Sequence, residues 1–291
     1  MKPHLLVTLA ALLGLASSPG LADPATGSVR IVEVRGAKLY TESFGHGPPI
    51  VFLHGGATFF DSSFAAQRDD FAADHTVIGI DQRGHGHSPD GPWTLSYQMM
   101  AEDTAAILEV LHLGPVDLVG HSDGGDIALI LARDHPQLVR RVVVSGANLR
   151  SGLSAEEEEK RSHWSKEQWD EKLRAVAASL PAWFRTDYAR VSPDGAGHWM
   201  ALLAKDYRIW SQRVVIEPAD LGRIAAPVLV MAGDHDFTSA ADNAEIFRGL
   251  PNGQLMIVPA STHGTFMQRS ALVNFAIREF LDASATGAPA H

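Results

Sequence analysis

Residues 116–126 read V-D-L-V-G-H-S-D-G-G-D, an apolar run that ends on a serine between glycines and continues into a helix-like stretch over 127–132. No other segment limits the possible folds as much. A serine hydroxyl attacks a carbonyl only when it stands on a sharp, exposed turn within reach of a base and of oxyanion donors. Gly120-His121-Ser122-Asp123-Gly124 is the G-x-S-x-G pattern that makes such a turn between a strand and a helix. Gly120 and Gly124 suit it because a side chain at either place would crowd the neighbouring strand or helix. The competing reading is a tight structural turn whose serine only caps a helix.

The flanking sequence bears on that choice. Residues 49–53, 77–80, 142–144 and 227–231 are short unbroken apolar runs, the mark of strands covered on both faces in a parallel sheet. A last strand is expected at 254–258. Residues 28–36 alternate apolar and polar side chains, as a half-buried antiparallel strand does, and 37–44 reads as the hairpin partner. Residues 97–113 read as a helix stopped by Gly114-Pro115, and 270–282 as a closing helix with Val273, Ala276, Ile277, Phe280 and Leu281 on one stripe. Strands alternating with helices predict an α/β fold with a mostly parallel, doubly wound sheet.

The alternation breaks between residues 148 and 219. Ser154 and Glu157 form a capping box that opens a helix there, and Trp169, Leu173, Val176 and Leu180 follow on one face. Five of the six tryptophans lie in this stretch. The expectation is a helical lid inserted after the sixth strand, with Trp164, Trp183 and Trp210 as candidate substrate-binding residues in an apolar pocket roof. Residues 23–147 and 220–291 then form one core, and 148–219 the lid.

With 291 residues, 45 % of them hydrophobic and 20 % charged, the chain can bury one substantial core plus a small subdomain. The formal charge of −10, with no stripe of Lys and Arg, argues against a nucleic-acid partner and leaves a small molecule as the expected one. Cysteine is absent, which removes disulfides and thiol nucleophiles, and the fourteen histidines show no zinc-binding spacing, so neither metal nor cofactor is implied. Lys2, the apolar residues 5–16 and the small residues Gly20 and Ala22 read as a secretory signal peptide over 1–22, cleaved after Ala22. That predicts an exported protein, periplasmic or secreted, without a stable membrane anchor after cleavage. An uncleaved anchor is the alternative, and nothing in the pattern specifies an oligomeric state.

A serine nucleophile needs a base for its proton and a carboxylate to orient that base. Residues 233–236 (G-D-H-D) follow the 227–231 strand and 261–264 (S-T-H-G) follow the 254–258 strand, so both stand at the carboxyl edge of the sheet, where the serine turn also emerges. Together with H-G-G at 54–56, D-Q-R-G-H-G-H-S at 81–88 and G-H-S-D-G-G at 120–125, these motifs resemble the α/β-hydrolase superfamily over about residues 30–282. The resemblance implies an α/β-hydrolase fold with Ser122 as nucleophile, His263 as base and Asp236 as orienting acid, Asp234 being the fallback. It further implies an oxyanion hole made by the N–H groups of Gly56 and Asp123. His54, Arg83, His85 and His87 are expected to hold loops.

Asp123 has two readings: a carboxylate favoured at the first turn of a helix, or a pocket residue that pairs with a cationic substrate group. The S-D-G-G run resembles valacyclovir hydrolase, an α-amino-acid ester hydrolase, although His121 before the serine departs from it. The expected activity is hydrolysis of a small to medium carboxylic ester through an acyl-enzyme. The alternatives are an aminopeptidase-like amide hydrolase, a carbon–carbon bond hydrolase, a perhydrolase and, outside catalysis, a ligand-binding protein on the same fold. Serine rather than aspartate at 122 argues against an epoxide hydrolase or a haloalkane dehalogenase.

Overall fold

The computed structural model describes residues 27–150, 154–212 and 215–283. The expected signal peptide lies outside the described residues. Eight strands form one sheet: β1 (Ser28–Val34), β2 (Ala37–Gly45), β3 (Pro49–Leu53), β4 (Thr76–Ile80), β5 (Val116–His121), β6 (Val139–Ser145), β7 (Val228–Gly233) and β8 (Gly253–Val258). Their order is β1-β2-β4-β3-β5-β6-β7-β8. β2 pairs antiparallel with β1 and β4, and every other neighbouring pair is parallel.

The unbroken apolar runs follow from a sheet covered on both faces. Val51 and Leu53 of β3, Leu118 of β5, and Val142 and Val144 of β6 join one apolar cluster, while Ile50 and Phe52, Val119, and Val143 point into the other. This is the two-residue alternation of a pleated strand. The first cluster is closed by helices α2 (Tyr97–Val110) and α3 (Asp123–Asp134), the second by α1 (Phe60–Phe71) with the C-terminal helix. Ser96 caps α2 by accepting the Met99 N–H at 3.1 Å, which fixes where the helix starts.

Between β6 and β7 stand four helices: α4 (Ala155–Ser162), α5 (Lys166–Ser179), α6 (Ala182–Val191) and α7 (Trp199–Trp210). The Ser154–Glu157 capping box opens α4, and a second box, Ser165 with Gln168, opens α5. The helical register therefore breaks at 163–165. α4 and α5 contain no fully buried residue, whereas α7 buries Trp199, Leu202, Leu203, Asp206 and Ile209. Lys205 and His198 clamp this part of the insertion to the core by pairing with opposite oxygens of Asp90, at 2.6 and 2.8 Å. After the insertion come α8 (Ala240–Gly249) between β7 and β8, the short α9 (Thr265–Gln268), and α10 (Ser270–Asp282). α10 buries Val273, Ile277, Phe280 and Leu281 against the sheet.

Candidate active site

Ser122 occupies the turn between β5 and α3 with φ 53° and ψ −122°, a backbone state that side-chain-bearing residues rarely adopt. Strain of this kind persists only where the surroundings impose it. Here the Ser122 N–H donates to the Ser145 carbonyl at 2.8 Å, and the Ser122 carbonyl accepts from Gly125 at 2.7 Å. The flanking glycines are sterically required. A methyl group at Gly120 would strike the Gly124 carbonyl, and one at Gly124 would strike the Leu53 carbonyl of β3.

The loop after β3 passes directly beside the serine, since a methyl on Gly55 would lie 3.2 Å from Ser122 Cβ. His54 fastens this loop. Its Nδ1–H donates to the Gly55 carbonyl at 2.7 Å and its Nε2 accepts the Gln82 N–H at 3.0 Å. Burial, reinforced by nearby His85, lowers its pKa to about 4, so it stays neutral and keeps that tautomer. Among the described residues neither the Gly56 nor the Asp123 N–H has a hydrogen-bond partner. Asp123 opens α3, and unpaired N–H groups at a helix start attract anionic oxygen.

His263, in the loop after β8, and Asp236, in the loop after β7, form a pair: the imidazole Nδ1–H donates to Asp236 Oδ1 at 2.9 Å. Asp236 Oδ1 also accepts the Thr238 N–H at 3.0 Å. Burial pushes the Asp236 carboxyl up, but its bond to His263, the imidazole charge and Thr238 outweigh that and hold it below the usual carboxylate range. With Nδ1 committed, Nε2 is the nitrogen left for proton exchange. Asp234 is employed elsewhere, accepting the N–H groups of Ala260 and Ser261 at 3.0 Å each, which ties the two loops together.

Three neighbours set the position of His263. His121 donates its Nε2–H to the His263 carbonyl at 2.8 Å, with the ring centroids 4.9 Å apart. Burial and the adjacent His263 lower the His121 pKa to about 3, so it serves as a neutral donor. Phe237 packs on the ring at 4.2 Å while remaining 74 % exposed. Gly146, at φ 67° just past β6, lies underneath, and a Cβ there would come within 2.5 Å of His263 Cε1. Neither Gly146 nor Phe237 was expected from the sequence. The only signal was that each directly follows a strand end or an acid motif.

Ser122 and His263 line one cavity of about 520 Å³. Its apolar wall includes Leu149, Leu180, Phe184, Trp210 and Phe237, so the insertion supplies part of it. Of the three tryptophans expected in the roof, Trp210 alone is there. Trp164 packs edge-on against Trp169 at 5.1 Å and Trp183 against Phe184 at 4.1 Å, and neither reaches the cavity. The break at 163–165 and the start of α6 turn them away.

Asp123 lines the cavity, yet both its oxygens already accept hydrogen bonds, from Tyr97 Oη at 2.9 Å and Trp210 Nε1 at 2.8 Å. Burial, with Asp206 nearby, raises its pKa to about 6. Through these two bonds the carboxylate braces the pocket wall. The motif at 81–88 ties loops together. Buried Arg83 pairs with Asp103 and lies over Trp93 at 4.5 Å, and His87 donates to Asp81 at 2.9 Å. Among the described residues no group of three or more His, Asp or Glu side chains is arranged to hold a metal ion, and no helix is long and apolar enough to cross a membrane.

The family model of the alpha/beta hydrolase fold matches residues 48–220. The chain belongs to the α/β-hydrolase family. This hydrolase is 28 % identical over 268 residues to the AB hydrolase superfamily protein YisY of Bacillus subtilis, covering 83 % of this chain and 94 % of that one. It is also 28 % identical over 257 residues to the mouse sn-1-specific diacylglycerol lipase ABHD11, covering 80 % of this hydrolase and 81 % of the lipase. Among solved structures it resembles Est816, described as an N-acyl homoserine lactone degrading enzyme, with a TM-score of 0.66, 26 % identity and coverage of 86 % of this chain and all of that one.

Proposed function

We propose that this hydrolase cleaves small to medium carboxylic esters through an acyl-enzyme. The observation that carries the reading is the His263–Asp236 bond at 2.9 Å on a histidine that shares the cavity wall with Ser122. Asp236 fixes the tautomer and stabilises the cation that forms when His263 Nε2 takes the Ser122 proton. The serine oxygen attacks the ester carbonyl, and the N–H groups of Gly56 and Asp123 receive the oxyanion, each lowering the barrier by about 3 kcal/mol. His263 then protonates the departing alcohol. A water that gives its proton to His263 releases the acid and restores the serine.

The apolar wall and the cavity volume of about 520 Å³ support an uncharged acyl group of modest size. The similarity to a diacylglycerol lipase and to an N-acyl homoserine lactone degrading enzyme supports the ester reading. In this reading α4–α7 act as a lid, and residues 1–22 export the chain. A panel of p-nitrophenyl acyl esters, aminoacyl amides and diketones tests the proposal on the protein lacking residues 1–22. Turnover should be highest on short and medium esters and should vanish in Ser122→Ala. Preference for amides or diketones would overturn it.

A further inference from the structure

Asp206 lies on α7 of the insertion, far along the chain from the motifs that form the site, and is 1 % exposed. Its Oδ2 accepts the Ala57 N–H at 3.0 Å and the His85 Nε2–H at 3.1 Å. Ala57 is the residue immediately after Gly56. It holds φ 56°, a left-handed state unfavourable for alanine, and its side chain is buried in the insertion's own apolar cluster with Tyr188, Trp199, Leu202 and Leu203. The backbone on the C-terminal side of Gly56 is therefore held by the insertion, through one charge-assisted hydrogen bond and one packed methyl.

We propose that Asp206 is a positioning residue that fixes the Gly56 N–H as an oxyanion donor by locking the adjoining Ala57 peptide, with His85 as its countercharge. A bare carboxylate bonded to the peptide next to the donor would oppose the developing negative charge. His85 answers that problem geometrically. Its Nδ1–H donates to the Arg83 carbonyl at 2.9 Å while Nε2–H meets Asp206, so both ring nitrogens are donors, as in an imidazolium. Although burial pulls the His85 pKa down, Asp206 raises it to about 9. Trp210, one turn further along α7, closes the other side. A methyl on Gly56 would meet its ring, and its indole N–H holds Asp123, whose own N–H is the second proposed donor. One helix of the insertion thus touches both donors' segments, which makes it part of the chemistry rather than a removable cover.

The inference rests on the ester-hydrolase reading, and the experiment separates the two. Wild type, Asp206→Ala and Asp206→Asn are assayed with p-nitrophenyl butyrate and with a trifluoromethyl ketone, whose hemiketal oxygen mimics the oxyanion. Asp206→Ala should lower kcat about 10²-fold with KM within about threefold, and weaken the ketone by about the same 10². Asp206→Asn keeps an oxygen for the Ala57 N–H and should recover kcat to within about tenfold of wild type. Variants that keep wild-type kcat, or that change KM alone, overturn the inference while the reaction stands. A wild type that turns over no ester and binds no ketone removes the reaction and the inference together. Hydrogen exchange of the wild-type Ala57 amide needs no variant. Strong protection is expected, and exchange at the rate of an open loop would overturn the proposal even if Asp206→Ala failed to fold.

Discussion

Replacing Gly146 with alanine should disable the site from underneath without replacing any reacting group. The added Cβ would lie 2.5 Å from His263 Cε1 and 2.8 Å from Nδ1. Carbon–carbon contact becomes favourable only near 3.5 Å, so the imidazole must retreat by about 1 Å. Phe237 at 4.2 Å and the carbonyl anchor to His121 at 2.8 Å crowd the ring further, so a shift of that size disturbs its bond to Asp236 and its approach to Ser122. A misplacement of about 1 Å costs on the order of 10² in rate, or about 2.7 kcal/mol of barrier. The φ of 67° adds about 1–2 kcal/mol of backbone strain, lowering Tm by about 2–8 °C. Ester turnover and thermal melting followed by circular dichroism on the same preparation read both effects. If kcat stays within about threefold of wild type while Tm falls, the imidazole does not rest on that glycine, and the account of how the base is placed fails.

The two acidic residues of the 233–236 loop should separate cleanly. Asp236→Asn should cost about 10⁴ in kcat by stabilising the wrong tautomer of His263. Asp234→Asn should leave kcat within about tenfold and lower Tm, because the Ala260 and Ser261 N–H groups lose a charged acceptor; equal losses in the two variants would contradict the assignment. His121→Phe removes the donor to the half-buried His263 carbonyl, so kcat should fall about tenfold with little change in KM, and an unchanged kcat would show the contact to be idle. Stability should depend on pH in two windows. The buried His121 and His54 have folded pKa values of about 3 and about 4, below an unfolded value of about 6.5, so their contribution is full above pH 6.5 and is lost as pH falls toward 3. His85, raised to about 9, contributes below pH 6.5 and loses its contribution as pH rises through 9. Melting curves from pH 3 to 10 should show both limbs, and His85→Gln should lose the alkaline one.

The strands were legible because a sheet covered on both faces demands unbroken apolar runs, and Pro49–Leu53 and Val228–Gly233 carry that demand in local sequence. The serine turn was legible for a similar reason: the carbonyls of Leu53 and Gly124 leave room only for glycine at 124 and 120. The Asp206 contact was not legible. It joins residues 57, 85 and 206, and hydrogen bonds over such separations leave no periodic trace. Trp164 and Trp183 do not line the cavity, because side-chain type reports burial, whereas the direction each ring faces depends on where helices start. Ser165, by opening its own helix, turned Trp164 onto Trp169 instead of into the cavity. Gly146 was invisible for the opposite reason, since a glycine after a strand is common and what it makes room for arrives 117 residues later as His263.

The central claim is that the Ser122 hydroxyl becomes a nucleophile. Intact-mass analysis of the folded protein after treatment with a fluorophosphonate, followed by peptide mapping, tests it directly. One adduct per chain is expected, on Ser122, abolished in Ser122→Ala and strongly slowed in His263→Ala. A folded protein that takes no label, or takes it on another residue, would contradict it.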